Sequence, residues 1–96
     1  MTREEVLQDI RERFGEDILE FLDKTSTRVY IDIKAESIVR MCLYLFRNLG
    51  ARFQTASGTD MPPHIEILYH FIFEDINLVI SLRVWLNREN PEIASL

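Results

Sequence analysis

Ninety-six residues, 47% hydrophobic and 28% charged, make one domain with enough apolar content for a single thin core and exclude a disordered chain. Sixteen acidic against eleven basic residues leave a formal net charge of −5, which argues against nucleic acid as a partner, since phosphate binding is driven by clustered Lys and Arg. The single Cys42 allows no internal disulfide and favours a reducing setting. MTREEVLQDIRERFGED has no apolar core of signal-peptide type, and no run approaches the ~18 apolar residues of a membrane span.

Thr2-Arg3-Glu4-Glu5 fits a capping box, with Val6, Leu7, Ile10 and Phe14 following at helical spacing. A helix is predicted over 3–14, with Gly15 as its left-handed stop. The apolar residues of 18–22, ILEFL, fit a short helix or a strand equally. RVYIDI, 28–33, alternates and is β-branched, so it is a strand, and Lys24-Thr25-Ser26-Thr27 before it is turn-like.

Over 35–49 the period becomes helical, and Ile38, Met41, Cys42, Leu45, Phe46 and Leu49 form one apolar stripe closed by Gly50. A strand over 51–57 follows, then a turn over 58–63 set by its two prolines.

Between His64 and Leu86 the alternation is strongest. Ile65, Ile67, Tyr69, Phe71 and Phe73 form one apolar set, and Ile76, Leu78, Ile80, Leu82, Val84 and Leu86 the second, in opposite parity. A two-residue turn at Asp75-Ile76 pairs Phe73 with Leu78, Phe71 with Ile80, Tyr69 with Leu82 and Ile67 with Val84, and a one-residue slip destroys that agreement. The turn lacks the usual Asn-Gly or Asp-Gly signal. This order of elements predicts an α+β two-layer sandwich, a single domain over 1–96 with an antiparallel or mixed sheet of four or five strands and two helices on one face.

Catalytic constellations are poor. His64 and His70 lie on one strand ~20 Å apart, too far to share a metal. Cys42, in a helix stripe, reads as a buried inert thiol. Glu16-Asp17, Glu74-Asp75 and Glu89 read as solvated turn charges, and the isolated Gly15, Gly50 and Gly58 make no phosphate loop. No catalytic residue, metal ligand or cofactor is assigned.

The second face of the hairpin is more informative. It presents Glu66, Leu68, His70 and Ile72 beside Val79, Ser81, Arg83 and Trp85, mixing aliphatic groups with two residue types favoured in interface hot spots. Leu68, His70, Ile72, Val79, Arg83 and Trp85 are the candidate interface. Val39, Leu43 and Tyr44, among Arg40 and Arg47, give the outer side of the second helix a similar mixture. Either a further part of the chain, such as its C-terminal tail, or a partner covers the sheet face, because its apolar content exceeds what a free monomer needs.

ARFQTASGTDM, HIEILYHFIF and INLVISLRVWLNRENPEIASL resemble the thirty-kilodalton subunit of respiratory complex I, the respiratory NADH dehydrogenase. They are also similar to the related subunit of energy-converting membrane-bound nickel–iron hydrogenases and formate hydrogenlyase. The matching features are a Thr/Ser-x-x-Asp element at Ser57-Gly58-Thr59-Asp60 and a Tyr-His pair at Tyr69-His70. An Ile-x-Leu-x-Val strand through Ser81-Leu82-Arg83-Val84-Trp85 and a Pro-x-x-Ser tail over 91–95, with Pro91 and Ser95, complete them. The likeness is best over 51–96 and weak before Arg28. These are loose hydrophobic patterns, and the resemblance tilts 18–22 toward strand.

Members of that family continue into a helix with a Trp-x-Glu-Arg-Glu motif and an Asp-x-x-Gly segment. This chain therefore reads as a truncation, a reduced paralogue or the N-terminal half of a split subunit. The resemblance implies a non-catalytic scaffold subunit without cofactor. It would pack against the large catalytic subunit of a hydrogenase or NADH-dehydrogenase-like complex, cytoplasmic and held to the inner membrane only through that complex. The alternative is a self-associating regulatory or ligand-binding module that uses the same face as a homodimer surface. A small enzyme with a polar pocket around His64 or His70 is the third reading.

Overall fold

A computed structural model describes residues 1–87, apart from the side chains of Met61 and Asn87. The elements run α1 (Arg3–Phe14), β1 (Ile18–Thr25), β2 (Arg28–Ile33), α2 (Ile38–Arg47), β3 (Arg52–Met61), β4 (His64–Phe73) and β5 (Leu78–Asn87). The strands form one mixed sheet in the order β1-β2-β5-β4-β3, antiparallel except for the parallel β2–β5 contact. With two helices on one face, this is the expected α+β sandwich.

The Thr2 capping box forms in both directions, at 3.2 Å from Glu5 N to Thr2 Oγ1 and 2.9 Å from Thr2 N to Glu5 Oε1. Val6, Leu7, Ile10 and Phe14 are the buried face of α1. Gly15 departs from expectation. Its φ of −53° is right-handed, so no left-handed stop is required of it. The need for glycine is steric, because a Cβ there would stand 2.7 Å from the Arg11 carbonyl oxygen.

Residues 18–22 are strand, and β1 runs on to Thr25. Phe21, opposite Ile31, packs on the core, which a helix at this place could not achieve while also pairing with β2. Asp17 is not the solvated charge its turn position suggests. It accepts a hydrogen bond from Ser37 Oγ at 2.8 Å and pairs with Arg40 at 2.5 Å, tying the start of β1 to the start of α2.

The predicted helix over 35–49 opens as a 3₁₀ turn, Ala35–Ser37, before α2 proper. Ile38, Met41, Cys42 and Leu45 are buried, whereas Phe46 is 57% exposed. Phe46 lies about 100° around the helix from Leu45 and about 40° beyond Cys42, outside the edge of the buried stripe. Gly50 takes φ +74° and ends the helix segment as predicted.

The 58–63 segment is the larger correction. β3 continues to Met61, with Gly58, Thr59 and Asp60 paired to Ile67, Glu66 and Ile65. Only Pro62 and Pro63 turn, joined by a cis peptide. The ladder satisfies the backbone groups that an irregular turn would leave open. At the β4–β5 hairpin the predicted register holds at every pair, but the connection is longer than two residues. Glu74–Ile76 form a 3₁₀ turn and Asn77 sits at φ 50°, ψ 51°. Asparagine tolerates this left-handed conformation, which replaces the missing glycine signal.

The core lies between the sheet and the helices. Val29, Ile31 and Ile33 of β2, Tyr69, Phe71 and Phe73 of β4, and Leu78, Ile80, Leu82, Val84 and Leu86 of β5 meet the buried faces of α1 and α2. The helices touch each other through Phe14 and Tyr44, with ring centroids 5.4 Å apart, and Tyr44 donates its hydroxyl hydrogen to Asp9. This leaves the other face of the sheet without a helix layer among the described residues.

Candidate interface on the open sheet face

Strand alternation sends every second side chain of β4 and β5 away from the helices. The six predicted interface residues therefore share this face. Ladder partners place Ile72 beside Val79, Leu68 beside Arg83, His70 beside Ser81 and Glu66 beside Trp85. β2 adds Arg28, Tyr30 and Asp32, level with Val79, Ser81 and Arg83. Leu68, His70, Ile72, Val79 and Arg83 are half-buried and Trp85 is 37% exposed.

The polar centre of the face is an ion-pair cluster. The Arg83 guanidinium donates to both Asp32 carboxylate oxygens, at 2.7 and 3.0 Å, and lies 3.5 Å from Glu66. Trp85 Nε1 donates to Asp32 at 3.4 Å, and Arg83 stands 5.2 Å from the Trp85 ring centroid. The Asp32 hydrogen bonds hold the Arg83 pKa above its ordinary value, and the Asp32 and Glu66 charges act in the same direction. Two carboxylates surround one guanidinium, so the Arg83 charge is fully paired and the centre as a whole carries one formal negative charge. Toward the other end, the Ile72–Val79 pair is flanked by exposed Arg28 on β2 and Arg52 on β3.

Sequence reasoning misses Asp32. The alternation of RVYIDI places Tyr30 and Asp32 on a polar face, but local pattern carries no signal that β2 lies parallel beside β5. The partner of Arg83 comes from a strand 51 residues away in the chain.

His70 Nδ1 lies 2.7 Å from the Oγ of fully buried Ser81. Desolvation lowers the His70 pKa, with the Arg28 charge acting in the same sense. The neutral imidazole is the native form, so unfolding raises proton affinity. Stability contributed here is present above the unfolded pKa, ~6.5, and is lost as pH falls through it toward the lower folded pKa. A His70→Gln variant is expected to show a smaller drop in urea midpoint between pH 7.5 and 5.5 than the parent. An equal drop would remove His70 from this linkage.

Of the family-motif residues, Tyr69 and Asp60 do not join this cluster. Tyr69 points to the opposite side and is buried in the core, where desolvation raises its pKa. Asp60 is near the end of β3, opposite Ile65. Pro91 and Ser95 lie outside the described residues. Cys42 is buried, which pushes its thiol pKa up to about 12. Among the described residues no three His, Cys, Asp or Glu side chains gather as a metal site, and no helix is long and apolar enough to cross a membrane. A pocket of about 240 Å³ beside Val6, Leu49 and Ile76 and a groove of about 350 Å³ beside Arg13, Leu43 and Arg47 contain neither His64 nor His70.

No protein-family model and no curated protein sequence matches the chain. Among solved structures, it is similar to a chain in the structure of the membrane-bound sulfane sulfur reductase, an archaeal respiratory membrane complex. The TM-score is 0.72 at 18% identity over 88% of this chain and 50% of that one. The chain thus spans about half the length of the chain it matches, and the likeness is one of fold: this α+β sandwich also occurs within a respiratory membrane complex.

Proposed function

We propose that this chain is a non-catalytic accessory subunit or domain of a membrane-associated hydrogenase or NADH-dehydrogenase-like electron-transfer complex. It packs against the large catalytic subunit and meets the membrane only through that complex, on the cytoplasmic side. The observation that carries this reading is the open sheet face, where Leu68, Ile72, Val79 and Trp85 present apolar surface around the Asp32–Arg83–Glu66 ion-pair centre. The resemblance over 51–96 and the shared fold with a respiratory-complex chain support it.

Trp85 is the anchor in this scheme, since an exposed Trp beside a neutralised Arg has the character of a hot spot. Tagged chain purified from native membranes is expected to bring down a hydrogenase- or dehydrogenase-type large subunit, identified by mass spectrometry. Trp85→Ala is expected to lower that recovery at least about tenfold, beyond the loss of about 1–2 kcal/mol in the isolated chain that follows from truncating a part-buried ring hydrogen-bonded to Asp32. Recovery of the chain without any such subunit overturns the proposal. A tight homodimer by light scattering, insensitive to Trp85→Ala, would remove this face from both the subunit and the self-association readings.

A further inference from the structure

The two edges of the sheet are built differently. β1 carries Glu20, Asp23 and Lys24, and its ladder is irregular at 18/20 and 23/25. Arg3 reaches around its end, donating to Ser26 O at 3.0 Å and Thr25 O at 3.1 Å and pairing with the Asp23 carboxylate. Charges, bulges and a capping guanidinium are the devices that keep another strand from adding to an edge.

β3 has none of these over most of its length. From Phe53 to Thr59 it reads FQTASGT, without a charge or a proline, and residues 52–60 are exposed throughout. Its one irregularity lies between Phe53 and Thr55, so 55–61 is a regular strand. Among the described residues β4 is its sole neighbour in the sheet, so half of its backbone N–H and C=O groups point outward.

We infer that the outer edge of β3 is a second docking site, which takes an extended segment of a partner chain as a sixth, antiparallel strand carrying large apolar side chains on its helix-side face. The side-chain rows select that occupant. On the helix side the middle of β3 offers the small Ala56 and Gly58, opposite Tyr69 and Ile67, between a 43%-exposed Phe53 and Asp60, which lies opposite Ile65. Ile65 and Ile67 behind them are half-buried, and Phe46 is exposed on α2. Large apolar groups on an added strand would lean across Ala56 and Gly58 and cover Ile67 and Phe53. A second copy pairing through its own β3 would bring Ala56 and Gly58 to the same place and leave those residues uncovered. On the other side Thr55, Ser57 and Thr59 accept small polar neighbours. An antiparallel guest continues the alternation of the β3–β4 and β4–β5 ladders.

This inference does not rest on the open-face contact, and either can fail alone. The probe is a fluorescein-labelled nonapeptide of lysine, seven alternating threonine and valine residues beginning with threonine, and glutamate. It is titrated against the full chain by anisotropy, with amide hydrogen exchange read residue by residue. The expected result is saturable binding that protects alternating amides within 55–61. Ala56→Lys, or Ser57→Lys should the first variant fail to fold, is expected to weaken binding at least about tenfold, and Trp85→Ala to leave it unchanged. The proposal is overturned by absence of saturable binding, by equal binding of a peptide with serine for every valine, by protection elsewhere in the sheet, or by retained binding in the lysine variant. A dimer by light scattering that the same lysine substitution dissociates overturns the partner-strand occupant in favour of a second copy.

Discussion

Replacing Phe71 by alanine is expected to cost about 3–5 kcal/mol of stability, the range for truncating a fully buried aromatic. Phe71 is 2% exposed in β4, paired with Ile80 of β5 and edge-on to Phe53 at 5.4 Å between centroids. The void would lie between sheet and helices, where regular strands cannot move inward to fill it. A chain of 96 residues holds only about 5–14 kcal/mol in total at ~0.05–0.15 kcal/mol per residue, so the variant should be partly unfolded near physiological temperature. Urea titration by far-UV circular dichroism measures this as a large fall in midpoint at constant slope. The same ring deletion at Phe53, on the edge and 43% exposed, should cost no more than about 1–2 kcal/mol, since less apolar area returns to water. A loss at Phe71 below that of Phe53 would contradict the assignment of the β4 helix-side row to the core.

The second large effect is expected at Asp32→Ala. The Asp32 side chain is 8% exposed and accepts from both Arg83 and Trp85. Its removal leaves Arg83 with only Glu66 at 3.5 Å. Breaking a buried pair from one side costs ~3–5 kcal/mol, but Arg83 is 20% exposed and recovers some solvation, so about 2–3 kcal/mol is the expected loss. The double variant Asp32→Leu with Arg83→Met removes the stranded charge and should recover at least about 1 kcal/mol of it. The double-mutant cycle measured by urea unfolding is the check. Additive losses would mean that the pair is not coupled in the folded state.

These two residues also show how differently parts of the structure are legible. Phe71 and its partners can be read from parity alone, because a strand with one buried face must alternate and the β4–β5 register follows from aligning two apolar sets. The six interface residues fall on one face for the same reason. Asp32 cannot be placed against Arg83 in this way, because parallel pairing of β2 with β5 depends on how α2 and the β3–β4 hairpin return the chain, and no local pattern records that. β3 outruns its expected length for a related reason. Its Ser57-Gly58-Thr59-Asp60 segment has turn-forming composition, and the continuous β4 ladder outweighs that preference. The left-handed Asn77 carries a weak signal in sequence, because asparagine enters that conformation without requiring it.

The position of β5 bears on how the molecule comes into being. The last of the described strands in sequence, β5, is the middle strand in space, joined to β2 on one side and to β4 on the other. The β1–β2 and β3–β4 hairpins can each form locally as they leave the ribosome, yet neither pairs directly with the other. Until the final strand is inserted, the nascent chain holds two half-sheets whose inner edges are both open. Cooperative folding therefore waits for synthesis to pass Leu86, and the barrier is set by long-range closure rather than by the hairpins themselves. Until β5 emerges, those two open edges are the part of the nascent chain most exposed to wrong pairing.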